Sequence, residues 1–176
     1  ELGLTARNAY GTMVNLTRKG LENSGVKVTD NAPYTLSLVR EQQTSRTVSF
    51  TSNAQGAESE ITNTLDYAIL GKNGQTLLTS QLEVQRSYIT DSNNIAGASE
   101  SQIQLSNEMS NAMVQQLLGR IQMITLAQLD ALQAEANANA KAAAEAEEAA
   151  RKADEELQQQ AAPIELPNIP LQLQGE

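Results

Sequence analysis

Between Tyr34 and Tyr88 the apolar residues of this chain fall at alternate positions, and on either side they recur at the three- and four-residue spacing of a helix. Alternation describes a strand with one buried and one wetted face, and a spacing of 3.6 describes a helix with one apolar stripe. A chain patterned helix, strands, helix has few ways to hide its apolar surface, because each element must cover one side with another. Tyr34, Leu36 and Leu38 share a face. Val48 and Phe50 do so in the next segment, followed by Ile61, Leu65, Tyr67 and Ile69, and then by Leu78, Leu82, Val84 and Tyr88. Thr35, Ser37, Thr47, Ser49, Thr62, Thr64, Thr79 and Glu83 interleave with them. One face of the sheet is therefore built for a core and the other for water or a polar partner. Gly71-Lys72-Asn73-Gly74 carries hairpin-turn residues between the last two strands.

The first helix is expected over roughly residues 7 to 23, with Tyr10, Met13, Val14, Thr17 and Leu21 on its stripe and Gly25 as its stop. Gly20 inside it marks either the close approach of a neighbour or a weak spot. Ser99 and Gln102 have the spacing of a capping box opening a second helix. Leu105, Met109, Met113, Leu117, Ile121 and Ile124 form its stripe. The fold class that follows is α+β, a two-layer sandwich with two helices on one face of a mostly antiparallel sheet.

Past residue 131 the chemistry changes. Eleven of the twenty residues from Ala134 to Ala153 are alanine, and no Leu, Ile, Val, Phe or Met lies between Leu132 and Leu157. Such a segment favours helix but has no stripe to bury. The domain reading is thus residues 1–131 as the folded domain, 132–162 as an Ala/Glu-rich solvated helix, and 163–176 as a Pro-containing extended or disordered tail. In that tail Ile164, Leu166, Ile169 and Leu171 offer a short docking strip as the alternative. Three basic and nine acidic residues in 132–176 give a net of -6, so only -3 of the total of -9 belongs to the rest.

Composition excludes much chemistry. Without Cys, His or Trp, the chain cannot build thiol nucleophiles, Ser-His-Asp triads, disulfides or Cys/His zinc sites. An acidic chain without clustered Lys/Arg is not a general nucleic-acid binder. No apolar run reaches the length of a membrane span. Gly71-Lys72 does not complete a phosphate loop, since Gln75 follows Gly74. Glu58, Glu60, Asp66 and Glu83 are the carboxylates an enzyme would use, yet no nucleophile and base pair accompanies them, so no catalytic residue, metal site or cofactor is assigned. Arg40, Arg46, Lys72 and Arg86 lie on strands or at their ends, where an anionic headgroup or an acidic protein surface could meet them.

The ordered set Asn8-Ala9-Tyr10-Gly11, Leu21 with Gly25-Val26-Lys27-Val28, Gln85-Arg86-Ser87-Tyr88 and Gln116-Leu117-Leu118-Gly119-Arg120-Ile121 resembles the LptE family of lipopolysaccharide-assembly lipoproteins of Gram-negative bacteria. The likeness runs over about residues 1 to 124 and is strongest to the pseudomonad members. It implies two helices packed on a mixed four-stranded sheet, with Leu2 to Leu4 as the tail of a first strand. It also implies a lipid anchor on an N-terminal cysteine that is not in this chain, and a place at the periplasmic side of the outer membrane. The implied role is a non-catalytic plug inside the LptD β-barrel that helps the barrel assemble and assists lipopolysaccharide insertion into the outer leaflet. Family members bind lipopolysaccharide partly through basic loop tips. Here Thr51-Ser52-Asn53-Ala54-Gln55-Gly56 and Asn94-Ile95-Ala96-Gly97-Ala98 lack Lys and Arg, which leaves Arg46, Lys72 and Arg86 as the lipopolysaccharide-binding candidates. The alternative function is a free periplasmic binding module for an anionic glycolipid or a peptidoglycan fragment.

Overall fold

The computed structural model describes residues 1–8, 11–50, 56–91 and 95–160. Its elements are β1 (Gly3–Ala6), α1 (Thr12–Asn23), β2 (Thr35–Phe50), β3 (Gly56–Leu70), β4 (Thr76–Asp91), α2 (Ile95–Gln122) and α3 (Leu126–Gln160). The sheet order is β1-β2-β3-β4. β1 pairs with β2 in parallel, and the other pairs are antiparallel. A parallel pair needs a crossover, and α1 supplies it. The result is the expected α+β sandwich on a mixed four-stranded sheet.

The core is aliphatic because the chain offers little else. Leu21, Leu36, Ile61, Leu65, Leu82, Met109, Met113 and Leu117 are almost wholly buried, and among the described side chains Tyr34 and Tyr67 are the buried aromatics. Val114 and Leu118 widen the α2 stripe toward α1. A Cβ on Gly20 would stand 2.6 Å from Leu118 Cδ1 and 3.4 Å from Val114 Cγ1. Gly20 therefore marks the close approach of α2. α1 stops where expected: Gly25 takes φ +79, and the amides of Gly25 and Val26 donate to the carbonyls of Glu22 and Leu21, each at 3.0 Å. That is the paired-bond ending that a left-handed glycine permits.

Three expectations need correction. α1 begins at Thr12 rather than near residue 7. The preceding residues are taken by β1, which pairs Ala6 with Leu38, and the Asn8 carbonyl accepts the Gly11 amide in a turn; Tyr10 lies outside the described residues. The capping box at Ser99 is not a helix start, because α2 already runs from Ile95. Finally, Val48 does not continue the core face of Leu36 and Leu38. β2 is one strand of sixteen residues, and its pairing with β3 slips between Leu38 and Arg40 and again between Thr47 and Ser49. A bulge at Val39 inverts the parity of the residues after it as far as Thr47. Arg40, Gln42, Thr44 and Arg46 then share the outer face, Thr47 turns inward, and Val48 is the second extra residue, 52% exposed.

Residues Glu1–Ala136 form one compact unit and Asn137–Glu176 a second. The first turns of α3 belong to the first unit. Thr125 and Gln128 open the helix as a reciprocal box, with the Thr125 amide donating to Gln128 Oε1 at 2.9 Å and the Gln128 amide to Thr125 Oγ1 at 3.3 Å. Leu129 is buried, and the Tyr34 hydroxyl donates to Asp130 Oδ1. Gln133 is 6% exposed; its Oε1 accepts the Lys72 amide at 2.9 Å and its Nε2 donates to Gln75 Oε1 at 2.9 Å. Gly71 leaves room for this bond, since a Cβ there would fall 1.8 Å from Gln133 Oε1 and would push the side chain off the Lys72 amide. In the second unit the described helix is exposed throughout and carries the pairs Lys141–Glu145, Glu148–Lys152 and Arg151–Glu155. The expected tail over 163–176 lies outside the described residues.

Candidate functional site

β2, β3 and β4 are each fifteen or sixteen residues long, roughly 50 Å of strand, but β1 accompanies β2 only as far as Leu38. The sheet therefore has a near half at the Gly71–Gly74 hairpin, backed by helices and β1, and a far half of three strands. The outer face of the far half is a stack of polar rungs, Arg40–Asp66–Gln81, Gln42–Thr64–Glu83, Thr44–Thr62–Gln85 and Arg46–Glu60–Ser87. Gln81 Nε2 donates to Asp66 Oδ1 at 2.6 Å and Arg40 Nε to Asp66 Oδ2 at 2.8 Å. The Gln81 amide first, and the Arg40 guanidinium after it, hold the Asp66 carboxyl below its usual range. Arg46 Nε meets Glu60 Oε1 at 2.5 Å, and that bond lowers the Glu60 carboxyl. Glu58, Glu60, Asp66 and Glu83 all stand on this outer face, three of them already engaged by neighbours. They are rungs of a polar ladder rather than an acid and base facing a shared substrate space.

On the inner face of the far half β2 turns polar, while Ile61, Leu65, Leu82 and Val84 of β3 and β4 stay buried and apolar. Glu41, Gln43, Ser45 and Thr47 of β2 pair with Leu65, Asn63, Ile61 and Ser59. Gln43 Nε2 reaches Ser106 Oγ of α2 at 3.4 Å. Asn63 is 3% exposed, and its Oδ1 has no partner. Partial burial pushes the Glu41 carboxyl up. A cleft of about 260 Å³ opens beside the Val39 bulge, with Arg7, Arg40 and Glu41 among its lining.

The three basic candidates are not brought together. Arg46 is on the outer face, neutralised by Glu60. Arg86 is on the inner face opposite Ile61, with Nη1 donating to the Gln85 carbonyl at 2.8 Å. Lys72 is exposed in the hairpin, separated from Arg86 by the length of β4 from Thr76, roughly 30 Å. Sequence reasoning passed over Gln133, whose signal was the Thr125–Gln128 box just before it, and Arg120, whose Nη1 bonds Ser80 Oγ at 3.2 Å and the Gln81 carbonyl at 3.1 Å.

The geometry defines a class: a small α+β sandwich on a mixed four-stranded sheet, with polar rungs along the outer face and one long strand, β2, that turns polar on both faces past its bulge. Among solved structures, the rare lipoprotein B of Shewanella oneidensis shares the fold with a TM-score of 0.62 and 22% identity, over 68% of this chain and 92% of that one. A minor lipoprotein of Acinetobacter baumannii follows with 0.57 and 18%, over 66% and 85%. A lipoprotein B of Nitrosomonas europaea gives 0.56 and 20%, over 66% and 78%. Among curated proteins, none matches the chain. The LptE family, described as lipopolysaccharide-assembly, matches residues 3–121, well over half of the chain, and the chain belongs to that family.

Proposed function

We propose that this chain is the non-catalytic plug and assembly subunit of the LptD β-barrel, held at the periplasmic side of the outer membrane by an N-terminal lipid, and that it assists lipopolysaccharide insertion into the outer leaflet. The observation that carries this reading is the far half of the sheet. Its outer face is a stack of polar rungs, and past Val39 the strand β2 carries Glu41, Gln43, Ser45 and Thr47 on the inward side as well, the surface a polar barrel lumen accepts and an apolar partner does not. Family membership supports the lipopolysaccharide-assembly role. For contact with lipopolysaccharide phosphates, Lys72 and Arg86 are the open candidates, because Arg46 is already ion-paired; each would act alone, from opposite ends of β4.

Co-purification on tagged LptD tests the reading. The chain is expected to elute with the barrel, and hydrogen exchange in the complex should slow across the far half while residues 137–160 stay open. A chain that fails to associate under conditions that preserve the translocon would sink the assignment.

A further inference from the structure

The two edges of the far half differ. On β2, the carbonyls of Tyr34 and Leu38 face β1, and beyond Leu38 the edge is interrupted by extra residues at Val39 and Val48, devices that twist an edge away from new partners. β4 pairs with β3 without a slip from Asp91 to Leu78. Alternation carried across the register turns the backbone groups of Thr79, Gln81, Glu83, Gln85, Ser87 and Ile89 outward. Two of those carbonyls are covered by side chains: Arg120 from α2 takes Gln81, and Arg86 takes Gln85. In a chain of net charge -9, neither arginine has a carboxylate partner among the described residues, whereas Arg40 and Arg46 each have one.

We propose that the outward edge of β4 is an acceptor for an extended, acidic polypeptide segment, with Arg86 and Arg120 capping it while it is empty. An added strand supplies amides to the carbonyls of Gln81 and Gln85 and takes the outward amides of Glu83, Gln85 and Ser87 into a new ladder. The displaced guanidiniums then need an anion. Carboxylates on the inner-face side of the added strand meet them in charge-assisted bonds, which selects an acidic segment over a neutral or basic one. This site is independent of the plug reading, since it needs only a free edge and two unpaired cations.

The test uses the full 176-residue chain and two blocked heptapeptides, one alternating threonine with glutamate and one alternating threonine with lysine. The glutamate peptide is expected to slow exchange at the amides of Glu83, Gln85 and Ser87. The even-numbered amides, already bonded to β3, should not change. The lysine peptide should bind about fivefold more weakly or worse, the size of two cross-strand charge pairs, and the double variant R86Q/R120Q should lose that preference. Ser87→Pro removes one outward amide while sparing the β3 ladder; it should abolish peptide binding and leave the exchange pattern of β3 unaltered. Protection at none of these odd positions, or equal binding of the two peptides, overturns the proposal. So does concentration-dependent self-pairing through the same amides without peptide, which would make a second copy the occupant.

Discussion

Near the hairpin the inward side chains of β2 are Leu36 and Leu38, both buried. Past the Val39 bulge they become Glu41, Gln43, Ser45 and Thr47, while the facing positions of β3 and β4 include Ile61, Leu65, Leu82 and Val84, which stay buried. Apolar area removed from water is the larger stabilising term, so the near part of β2 and the inner faces of β3 and β4 are held by burial. The far part of β2 contributes little and is correspondingly free to vary in composition.

Substitutions can break that contrast. Leu117→Ala empties a fully buried position and should cost about 2–5 kcal/mol, whereas Ser45→Ala should stay within about 0.5 kcal/mol. Urea unfolding of both variants checks this, and similar costs would erase the distinction between the buried face and the far part of β2. Gln133→Ala strips the Lys72 amide and Gln75 of their partner, for a loss of about 1–3 kcal/mol, with faster exchange in the 71–75 hairpin as its local mark. Thr17→Val sharpens the comparison from the other side. The Thr17 hydroxyl is fully buried without a partner, so an isosteric apolar side chain should raise stability by about 1 kcal/mol, visible as a higher thermal midpoint.

The smallest effect is in acid. Glu60 and Asp66 have lowered carboxyl pKa values in the fold. Their contribution is therefore complete above the ordinary carboxylate range and is lost as pH falls through the lowered values. Glu41 is raised and acts in the opposite sense, costing stability when ionised and ceasing to do so when protonated. Denaturation midpoints between about pH 7 and about pH 3 should fall less steeply for Glu60→Gln than for the parent chain, and Glu41→Gln should be the more stable protein at neutral pH. A parent curve unchanged by Glu60→Gln would mean that the outer rungs are ornamental to the fold.

Much of the sheet was legible in sequence, because Tyr34, Leu36, Leu38 and the β3 and β4 alternations, with Ile61, Leu65, Leu82 and Val84, are set by burial on one face. The far part of β2 was not. Nothing local distinguishes Val39 from an ordinary alternating residue, and the bulge exists only because Leu38 and Arg40 find consecutive partners on β3. The docking of α3 was hidden by the alanine run that follows it, although Leu126, Leu129 and Leu132 keep helical spacing and Thr125 with Gln128 has the form of a cap. Candidate residues suffered most. Arg46 and Arg86 were legible only as basic residues on strands, and the register, which no local pattern reveals, places them on opposite faces.

Val39 also has an evolutionary corollary. Because it is surplus to the pairing, a relative that lacked it would still turn Arg40, Gln42, Thr44 and Arg46 outward, whereas loss of one residue a few positions later would turn all that follows inside out. Alignments among relatives should therefore tolerate a one-residue gap at this position and resist one between Gln42 and Thr47. Where such a gap occurs, β2 would run straight as far as Thr47, with the slip at Val48 as its one remaining interruption, and would offer a longer second edge to another chain.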